Sequence, residues 1–338
     1  MPQFFTKFVG FAREIFHRGL NYNLTRNPEI TITTYRNTVL IYNPRAGKFG
    51  RRAEKLLEPA LAVLRRDGHN VTVAPTTGPR TAAAIAREFA ERGADLVLAA
   101  GGDGTINEVA EGLVHTPVPL GILPAGTANV LASEMKLTSR LAHAAGRLRD
   151  SRPHRISVGH LTCENDAVSR HFLLMAGVGL DANIVYEVSA PLKAWAGKVA
   201  YWVAGWAFLG RKLVEFQVEV NGRKQQCSFA LASKVRNYGG DFEIARQVSL
   251  FDDCFEVVLF EGQSSLKYVK YFTGLVMNRV EGMQGVTVLR EKCLKLTSPT
   301  DQRVYVQIDG EFAGHLPALV RIVPDALTLL VPPEYKPQ

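Results

Sequence analysis

A glycine-rich corner stands between an apolar run and an amphipathic run in LVLAAGGDGTINEVAEGL, residues 96–113. Its three glycines permit positive φ and let a ligand approach the backbone, and the helix expected from about Thr105 offers unpaired N–H groups to phosphate. The corner lacks the Lys-Ser/Thr of a P-loop and the spacing of a dinucleotide fingerprint. Asp103, a carboxylate among phosphate-binding amides, indicates a cation such as Mg²⁺, with a helix cap as the structural alternative.

Two further polar loops that contain glycine follow predicted strands. They are YNPRAGKFG, residues 42–50, and LPAGTANV, residues 123–130. The carboxyl ends of parallel strands meet at one edge of a sheet, which is where α/β proteins bind ligands. The sequence therefore predicts that these two loops and the glycine corner converge on a single crevice.

The elements that must position these loops follow from the hydrophobic pattern. From Thr38 strands and helices alternate, which predicts a parallel sheet with helices on its faces. After about residue 152 the segments alternate at period two, with Asn221-Gly222 as a hairpin turn and helices near 183–210 and 264–277. This half is predicted to be mainly antiparallel, and the late segments ALVRIVP and LTLLVP could close either half.

Composition limits the functional classes. The chain has 338 residues, is 46% hydrophobic and carries a formal net charge of +8, which is typical of a globular protein with anionic partners. We expect no nucleic acid among them, because zinc spacings, RNA-binding aromatic signatures and dense basic runs are missing from the sequence. The four cysteines are scattered, which predicts a reduced protein. The sequence shows no apolar run of roughly 18–20 residues and no signal peptide, so we expect the protein to be cytoplasmic.

Two amphipathic segments each have two interpretations. Residues 1–22 show helical periodicity with phenylalanines on one face, so the helix either packs on its own domain or a second subunit, as in a homodimer, or lies in a membrane interface. Residues 191–212 hold all three tryptophans next to basic residues. That pattern fits a headgroup interface or a buried helix that lines a lipid pocket.

Taken together and in order, NPRAG, GGDGTINEV and LPAGTAN resemble the diacylglycerol kinase catalytic-domain family, which includes bacterial diacylglycerol kinases and the sphingosine and ceramide kinases. AGVGLDA, NYGGDFEIARQVSLFDDCFEVV and VQIDGE resemble later family segments more loosely. The resemblance implies an α/β nucleotide-binding domain with a parallel sheet plus a second, mainly antiparallel β-sandwich domain, as in NAD kinase and diacylglycerol kinase. It also implies three parts of the chain: an amphipathic N-terminal extension over 1–36, an ATP-binding domain over 37–152 and a lipid-substrate domain over 153–323. Residues 324–338 would return to the ATP-binding domain.

The resemblance also implies roles for individual residues. Asp309 would be the general base for the lipid hydroxyl and Glu311 would assist, although the local pattern by itself favours an Asp-Gly turn. Asp103, Asp252 and Asp253 would hold Mg²⁺. The residues implied to line the ATP site are Asn43, Thr77, Gly101, Gly102, Asp103, Gly104, Thr105, Asn107, Glu108, Thr127 and Asn129.

One segment departs from the family pattern. Cys254 follows Asp253 where the family has glycine, and its Cβ would be strained in a turn that needs positive φ. A solvated acidic turn is therefore the alternative to a second metal site.

The resulting functional expectation is an ATP- and Mg²⁺-dependent lipid kinase that phosphorylates a lipid hydroxyl, with diacylglycerol as the leading acceptor and phosphatidic acid as the product. It would be cytoplasmic and peripheral on the inner face of an anionic membrane that presents the lipid. The alternatives are a kinase of a sphingoid base, ceramide or another lipid alcohol, then NAD kinase, which shares the Gly-Gly-Asp-Gly-Thr loop. A non-enzymatic alternative is a sensor that binds nucleotide and lipid without catalysis. The altered Asp253-Cys254 segment motivates this alternative.

Overall fold

A computed structural model gives the architecture of most of the chain. The predicted helix over 1–22 and the tryptophan residues within 191–211 lie outside the described part, so both stay predictions. The described residues are 35–47, 49–180, 182, 212–238, 242–277, 279–299 and 302–336.

The first half alternates strands and helices, as its hydrophobic pattern predicts. The strands are β1 (Asn37–Tyr42), β2 (Asn70–Pro75), β3 (Leu96–Gly101) and β4 (Leu120–Pro124). The helices are α1 (Ala53–Arg66), α2 (Ala82–Glu91), α3 (Asp103–Leu113), α4 (Val130–Glu134) and α5 (Leu141–Arg147). All four strands are parallel, in the order β2-β1-β3-β4, and every residue of β3 and β4 is buried. Continuous burial of this kind is typical of parallel strands that are covered on both faces.

Helices cover both faces of this parallel sheet. The apolar stripe of α1, which includes Leu57 and Leu64, packs with α5 against one face. On the other face, Ala86 of α2 and Val109 of α3 join a core that continues into the second half of the chain. The sheet edge that carries the polar loops is thereby held between two packed layers.

The second half is built almost entirely of strands. They are β5 (Arg152–Cys163), β6 (Val168–Phe172), β7 (Met175–Gly179), β8 (Phe216–Val220), β9 (Arg223–Cys227), β10 (Phe229–Ser233), β11 (Asn237–Tyr238), β12 (Phe242–Glu243), β13 (Phe255–Phe260), β14 (Val286–Glu291), β15 (Cys293–Thr297), β16 (Tyr305–Ile308), β17 (Glu311–His315) and β18 (Ala318–Val331). Helix α6 covers Ser265–Val276, and short 3₁₀ helices cover Gly50–Arg52, Leu148–Asp150 and Glu164–Asp166. The predicted hairpin at Asn221-Gly222 is confirmed, because both residues have positive φ and join the antiparallel pair β8 and β9.

Two sheets form a β-sandwich in this half. Within the described residues, six strands form an antiparallel sheet in the order β14-β13-β10-β7-β16-β17. Its apolar face, which includes Val178 and Val257, packs against Phe216, Leu296 and Val320 of the other sheet. The fold class is therefore confirmed as an α/β part with a parallel sheet plus a mainly antiparallel β-sandwich.

Strand β18 joins the two halves into one sheet. It pairs antiparallel with β5 and β15, and Leu329 pairs in parallel with Leu120 of β4. As a result, ten strands of the described chain belong to one sheet that extends from the α/β part into the sandwich. The segments ALVRIVP and LTLLVP are parts of this single strand, whose register against β5 shifts between Val323 and Leu327.

A buried ion pair adds a second connection between the halves. Glu134 at the end of α4 is 1% exposed and accepts hydrogen bonds from the backbone N–H and the Nε of Arg236, at 3.1 and 3.2 Å. Arg236 lies between β10 and β11, in the sandwich part. Because a buried carboxylate needs a partner, this pair constrains how α4 lies against the second half.

Gly112 gives a test of how closely α2 and α3 must pack. A Cβ built on Gly112 would lie 2.2 Å from the carbonyl oxygen of Ala83, which is backbone and cannot move aside. Gly112→Ala is therefore expected to lower the free energy of unfolding by about 1–3 kcal/mol through overpacking, measured by urea denaturation.

Gly146 in α5 provides the matched control. The nearest atom to a Cβ at that position is Cγ1 of Val63 at 3.7 Å, which is an ordinary contact. Gly146→Ala should leave stability unchanged or raise it by up to about 1 kcal/mol, because alanine is the better helix former. Equal stability of the two variants would contradict the close approach of the helices.

Candidate active site

The loops at the carboxyl ends of β1, β3 and β4 lie against one another. Nδ2 of Asn43 donates to Oγ1 of Thr105 at 3.5 Å, which joins the first loop to the glycine corner. A Cβ built on Gly47 would lie 3.1 Å from Oγ1 of Thr127, so the first loop also approaches the loop after β4. The structure thus brings together at one sheet edge the loops that the sequence predicts to share a crevice.

The side chain of Asn129 is used to shape its own loop. This residue has a φ of 49°, and its amide accepts from the N–H and donates to the carbonyl of Gly126, both at 2.9 Å. A Cβ on Gly126 would lie 2.4 Å from the Cα of Gly102, so the tight loop lets two backbones touch. Glycine is required here by close approach rather than by a positive φ.

Asp103 begins helix α3, two residues before the predicted start at Thr105. Its carboxylate accepts the N–H groups of Val130 at 3.0 Å and Leu131 at 3.2 Å, which are the first residues of α4. Burial raises the pKa of Asp103, and these amide hydrogen bonds oppose that rise. The alternative that Asp103 caps a helix is therefore realised, but the helix is α4 and not its own.

Glu108 caps a different helix. Its two carboxylate oxygens accept the N–H of Arg80 at 3.0 Å and of Ala82 at 3.2 Å, where α2 begins. Thr77 is exposed in the same loop, and its N–H donates to Oγ1 of Thr81 at 3.2 Å. The structure thus places Thr77 and Glu108 at the loop after β2, which Glu108 holds against α3.

Asn107 reaches the second half of the chain. Its Nδ2 donates to the carbonyl of His171 on β6 at 3.3 Å. Glu111, one helical turn further along α3, accepts the N–H of His171 at 2.7 Å and lies 3.0 Å from its Nδ1. Burial acts to raise the pKa of Glu111, but the hydrogen bond and charge of His171 outweigh it and hold that pKa below its usual value. Sequence reasoning missed Glu111 and His171, which dock α3 on the sandwich.

The backbone of the glycine corner remains accessible. Gly102 and Gly104 are partly exposed, and Thr127 is exposed beside them, whereas Gly101 is buried under Thr105. A phosphate can therefore approach the N-terminal amides of α3, whose partial positive charge favours an anion.

Asp309 lies in the Asp-Gly turn that the local pattern predicts. It and Gly310 have φ values of 49° and 80° and connect β16 to β17. Its carboxylate accepts the N–H groups of Leu173, Leu174 and Met175, each at 2.9 Å. Three amides from one segment fix both carboxylate oxygens, so this side chain has a single orientation.

The environment of Asp309 suits proton transfer. Burial raises its pKa to about 7, the three amides oppose the rise, and the nearby charge of Asp103 adds to it. A carboxyl group that titrates near neutral pH is at the optimum for a general base. The turn and the proposed base are therefore the same structural feature, and they do not exclude each other.

Glu311 and Arg170 form a pair directly over the glycine corner. A Cβ on Gly104 would lie 2.7 Å from Oε1 of Glu311, and Oε2 of Glu311 lies 3.3 Å from Nη2 of Arg170. The Nη1 of Arg170 is buried and has no hydrogen-bond partner among the described residues. Sequence reasoning missed Arg170 because an arginine on the alternating strand β6 is typical of a solvated face.

The surroundings of Asp252 do not suit the Mg²⁺ expected at Asp252 and Asp253. Oδ2 of Asp252 lies 2.8 Å from Nη2 of Arg290, and the backbone carbonyl of Asp252 accepts from Nζ of Lys234. Two positive charges thus already occupy the groups that a divalent cation would need, so the residues do not fit Mg²⁺ there. Nor does any cluster of three or more His, Cys, Asp or Glu suited to a metal occur in the described ranges.

Cys254 does not have a positive φ, so the expected strain is not found.

Comparison with known proteins finds a family model that matches each half. The family model described as the diacylglycerol kinase catalytic domain matches residues 37–161. The model described as the YegS C-terminal NAD kinase beta sandwich-like domain matches residues 175–331. The first model ends within β5 and the second begins at the start of β7, and together they include the loops of the crevice and the turn of Asp309.

Individual relatives agree with these models. The chain is 27% identical over 284 residues to diacylglycerol kinases of Staphylococcus haemolyticus and Bacillus subtilis, covering 82% of this chain and 83% and 90% of the relatives. A solved structure described as a diacylglycerol kinase from Bacillus anthracis has the same fold, with a TM-score of 0.71 and 21% identity over 89% of this chain and 98% of that one.

The position of Asp309 generates a prediction about pH. If its ionised carboxylate accepts the substrate proton, kcat/KM should fall about tenfold per pH unit below a midpoint near 7 and be constant above it. The sign follows because protonation at lower pH removes the base. Asp309→Asn should lower kcat by about 10²-fold or more and abolish the dependence, measured with labelled ATP across pH.

Asp150→Asn is the matched control, because the side chain of Asp150 is 51% exposed and its ion pair is with Arg149. It should retain both the rate and the midpoint near 7. An Asp309→Asn enzyme that is folded by circular dichroism and keeps full turnover would rule out Asp309 as the base.

Proposed function

From the premise that the chain belongs to the diacylglycerol kinase catalytic-domain family and is a lipid kinase, we propose that it transfers the γ-phosphate of ATP to the hydroxyl of diacylglycerol, giving phosphatidic acid. The observation that carries this proposal is the meeting of the two halves at the glycine corner. Asp309 and Glu311 belong to one turn of the sandwich, and the carboxylate of Glu311 lies against Gly104. The charge of Asp103 also raises the pKa of Asp309. A proton acceptor is thereby held beside a loop that suits phosphate.

Phosphoryl transfer depends on positioning and electrostatic stabilisation more than on covalent chemistry by the protein. In the proposed step the lipid hydroxyl oxygen bonds to the γ-phosphorus, the bond from that phosphorus to the bridging oxygen of ADP breaks, and the hydroxyl proton passes to Asp309. The three amides that hold Asp309 keep the acceptor oxygen in one place during this transfer.

A magnesium ion fits the crevice through the chemistry of its donors. Asp103 and Asp309 are half-buried carboxylates, and the charge of Asp103 raises the pKa of Asp309. A cation bound near both would relieve this repulsion. Mg²⁺ is commonly bound by one or two carboxylates together with substrate phosphates, so Asp103 with the ATP phosphates would suffice. The ion would neutralise charge on the transferred phosphate.

Among the described residues, none of the helices could cross a lipid bilayer.

The surface of α6 supports contact with a membrane that presents the lipid. Helix α6 and the turn after it expose Lys267, Lys270, Val269 and Met277, the last two being 44% and 57% exposed. Basic and apolar side chains on one surface suit an anionic interface, in keeping with the net charge of +8. We propose peripheral binding at the cytoplasmic face.

The acceptor is tested by presenting candidate lipids separately. The purified protein is incubated with γ-labelled ATP, MgCl2 and vesicles that contain diacylglycerol, a sphingoid base or ceramide, and in a further reaction with NAD. We expect label in phosphatidic acid, and none above background with Asp309→Asn. Label in the sphingoid base or ceramide alone would replace diacylglycerol as the acceptor, and label in NAD alone would overturn the lipid assignment.

Arg170 is expected to bind the transferred phosphate, because its buried Nη1 has no acceptor among the described residues and its Nη2 is held by Glu311. A phosphate oxygen would supply the acceptor and be stabilised by the charge. Arg170→Met should lower kcat by about 10²-fold with a smaller change in KM for ATP, measured by steady-state kinetics.

Arg149→Met is the control, because the side chain of Arg149 is 64% exposed next to Asp150. Its kinetic constants should equal those of the unmodified enzyme. A change in KM alone in Arg170→Met would show that Arg170 contributes to ground-state binding only.

A further inference from the structure

Lys234 is a buried cation that the proposed chemistry does not use. It follows β10 and is 1% exposed. Its Nζ donates to Oγ of Ser157 at 2.7 Å, to the carbonyl of Leu250 at 3.4 Å and to the carbonyl of Asp252. Burial lowers its pKa to about 8, so the amine is still an ammonium at neutral pH. A buried charge persists only where acceptors compensate it, and three oxygens do so here.

The acceptors belong mainly to one tight turn, residues 249–252. The N–H of Asp252 donates to the carbonyl of Ser249 at 3.0 Å, and the N–H of Ser249 donates back to Oδ2 of Asp252 at 2.9 Å. The hydroxyl of Ser157 on β5 donates to the carbonyl of Asp252 at 2.7 Å. The carbonyls of this turn are thus directed at a positive charge, in the way that a loop surrounds a hard metal ion.

The backbone of Lys234 is connected to the Asp309-Gly310 turn. The N–H of Lys234 donates to the carbonyl of Leu174 at 2.7 Å, and the N–H of Leu174 donates to Oδ1 of Asp309 at 2.9 Å. Next to this contact, Ser233 of β10 pairs with Met175 of β7, which supplies another of the three amides. The side chain of Lys234 therefore binds the 249–252 turn, and its backbone binds the segment that orients Asp309.

We propose that the ammonium of Lys234 is an internal cation that takes the place of a structural metal ion in this domain. It donates hydrogen bonds to the carbonyls of Leu250 and Asp252, while Arg290 neutralises the carboxylate of Asp252. A divalent ion would be repelled by both charges and would find its oxygen ligands taken. Lys234 is accordingly a positioning residue that acts on Asp309 through the backbone of Leu174. This inference does not depend on which lipid is phosphorylated.

The first test uses the unmodified full chain without nucleotide. Its thermal unfolding midpoint is measured in EDTA and in millimolar MgCl2, because the ion proposed at Asp103 takes the ATP phosphates as its other ligands and is not held without nucleotide. We expect the same midpoint in both, because the turn carries its own cation. A midpoint that falls in EDTA and is restored by MgCl2 would overturn the proposal.

The second test removes the charge while retaining most of the side-chain volume. Lys234→Met is compared with Lys295→Met, which changes an exposed lysine on β15. We expect a lower unfolding midpoint for Lys234→Met alone. Its kcat should fall at least about tenfold, and the pH midpoint of kcat/KM should move upward, because loosened amides stabilise the Asp309 carboxylate less.

The pH midpoint separates positioning from a merely structural role, since lost stability would not move it. An unchanged unfolding midpoint, or an unchanged pH midpoint in a folded Lys234→Met enzyme, would contradict the proposal. If Lys234→Met does not fold, the response of the unmodified chain to EDTA and MgCl2 still decides whether a metal ion is needed.

Discussion

The geometry of the whole described molecule depends on β18, because this strand is paired with both halves at once. Its later residues lie beside β4 of the parallel sheet, and its earlier residues pair with β15 of the sandwich. It pairs with β5 along most of its length. A continuous hydrogen-bonded sheet resists bending between its strands, so the loops after β1, β3 and β4 have a fixed relation to the sandwich. A carboxylate on one half can therefore be held at a set place beside a loop on the other.

Most polar side chains around the crevice are used to build it. Asp103 caps α4, Glu108 caps α2, Asn129 closes its own loop, and Asn107 contacts the backbone of β6. Buried polar groups need partners, and here the chain itself supplies them. The consequence is a rigid set of backbone amides that can stabilise phosphate without reorganisation.

Charged groups have local partners at three places in the second half. Asp252 is paired with Arg290, Glu311 with Arg170 and the carbonyls of the 249–252 turn with Lys234. Asp309 differs, because it is held by backbone amides alone and lies near a like charge. Its pKa is raised toward neutrality, as a proton acceptor requires, whereas a carboxylate paired with arginine or lysine would stay ionised and be a weaker base.

The sequence by itself determined the elements and the positions of the loops. Period-two and helical patterns are local, so the parallel strands, the Asn221-Gly222 hairpin and the Asp309-Gly310 turn could be predicted from neighbouring residues. The order of glycine-bearing loops likewise indicated one phosphate crevice. Only the tertiary structure decided which partners these residues have. Asp103 caps a helix 27 positions away, Asp309 is held by amides from Leu173 to Met175, and Lys234 binds a turn around Asp252. Such contacts join residues that are separated by 18 to 136 positions in the chain, so no local pattern in the sequence shows them.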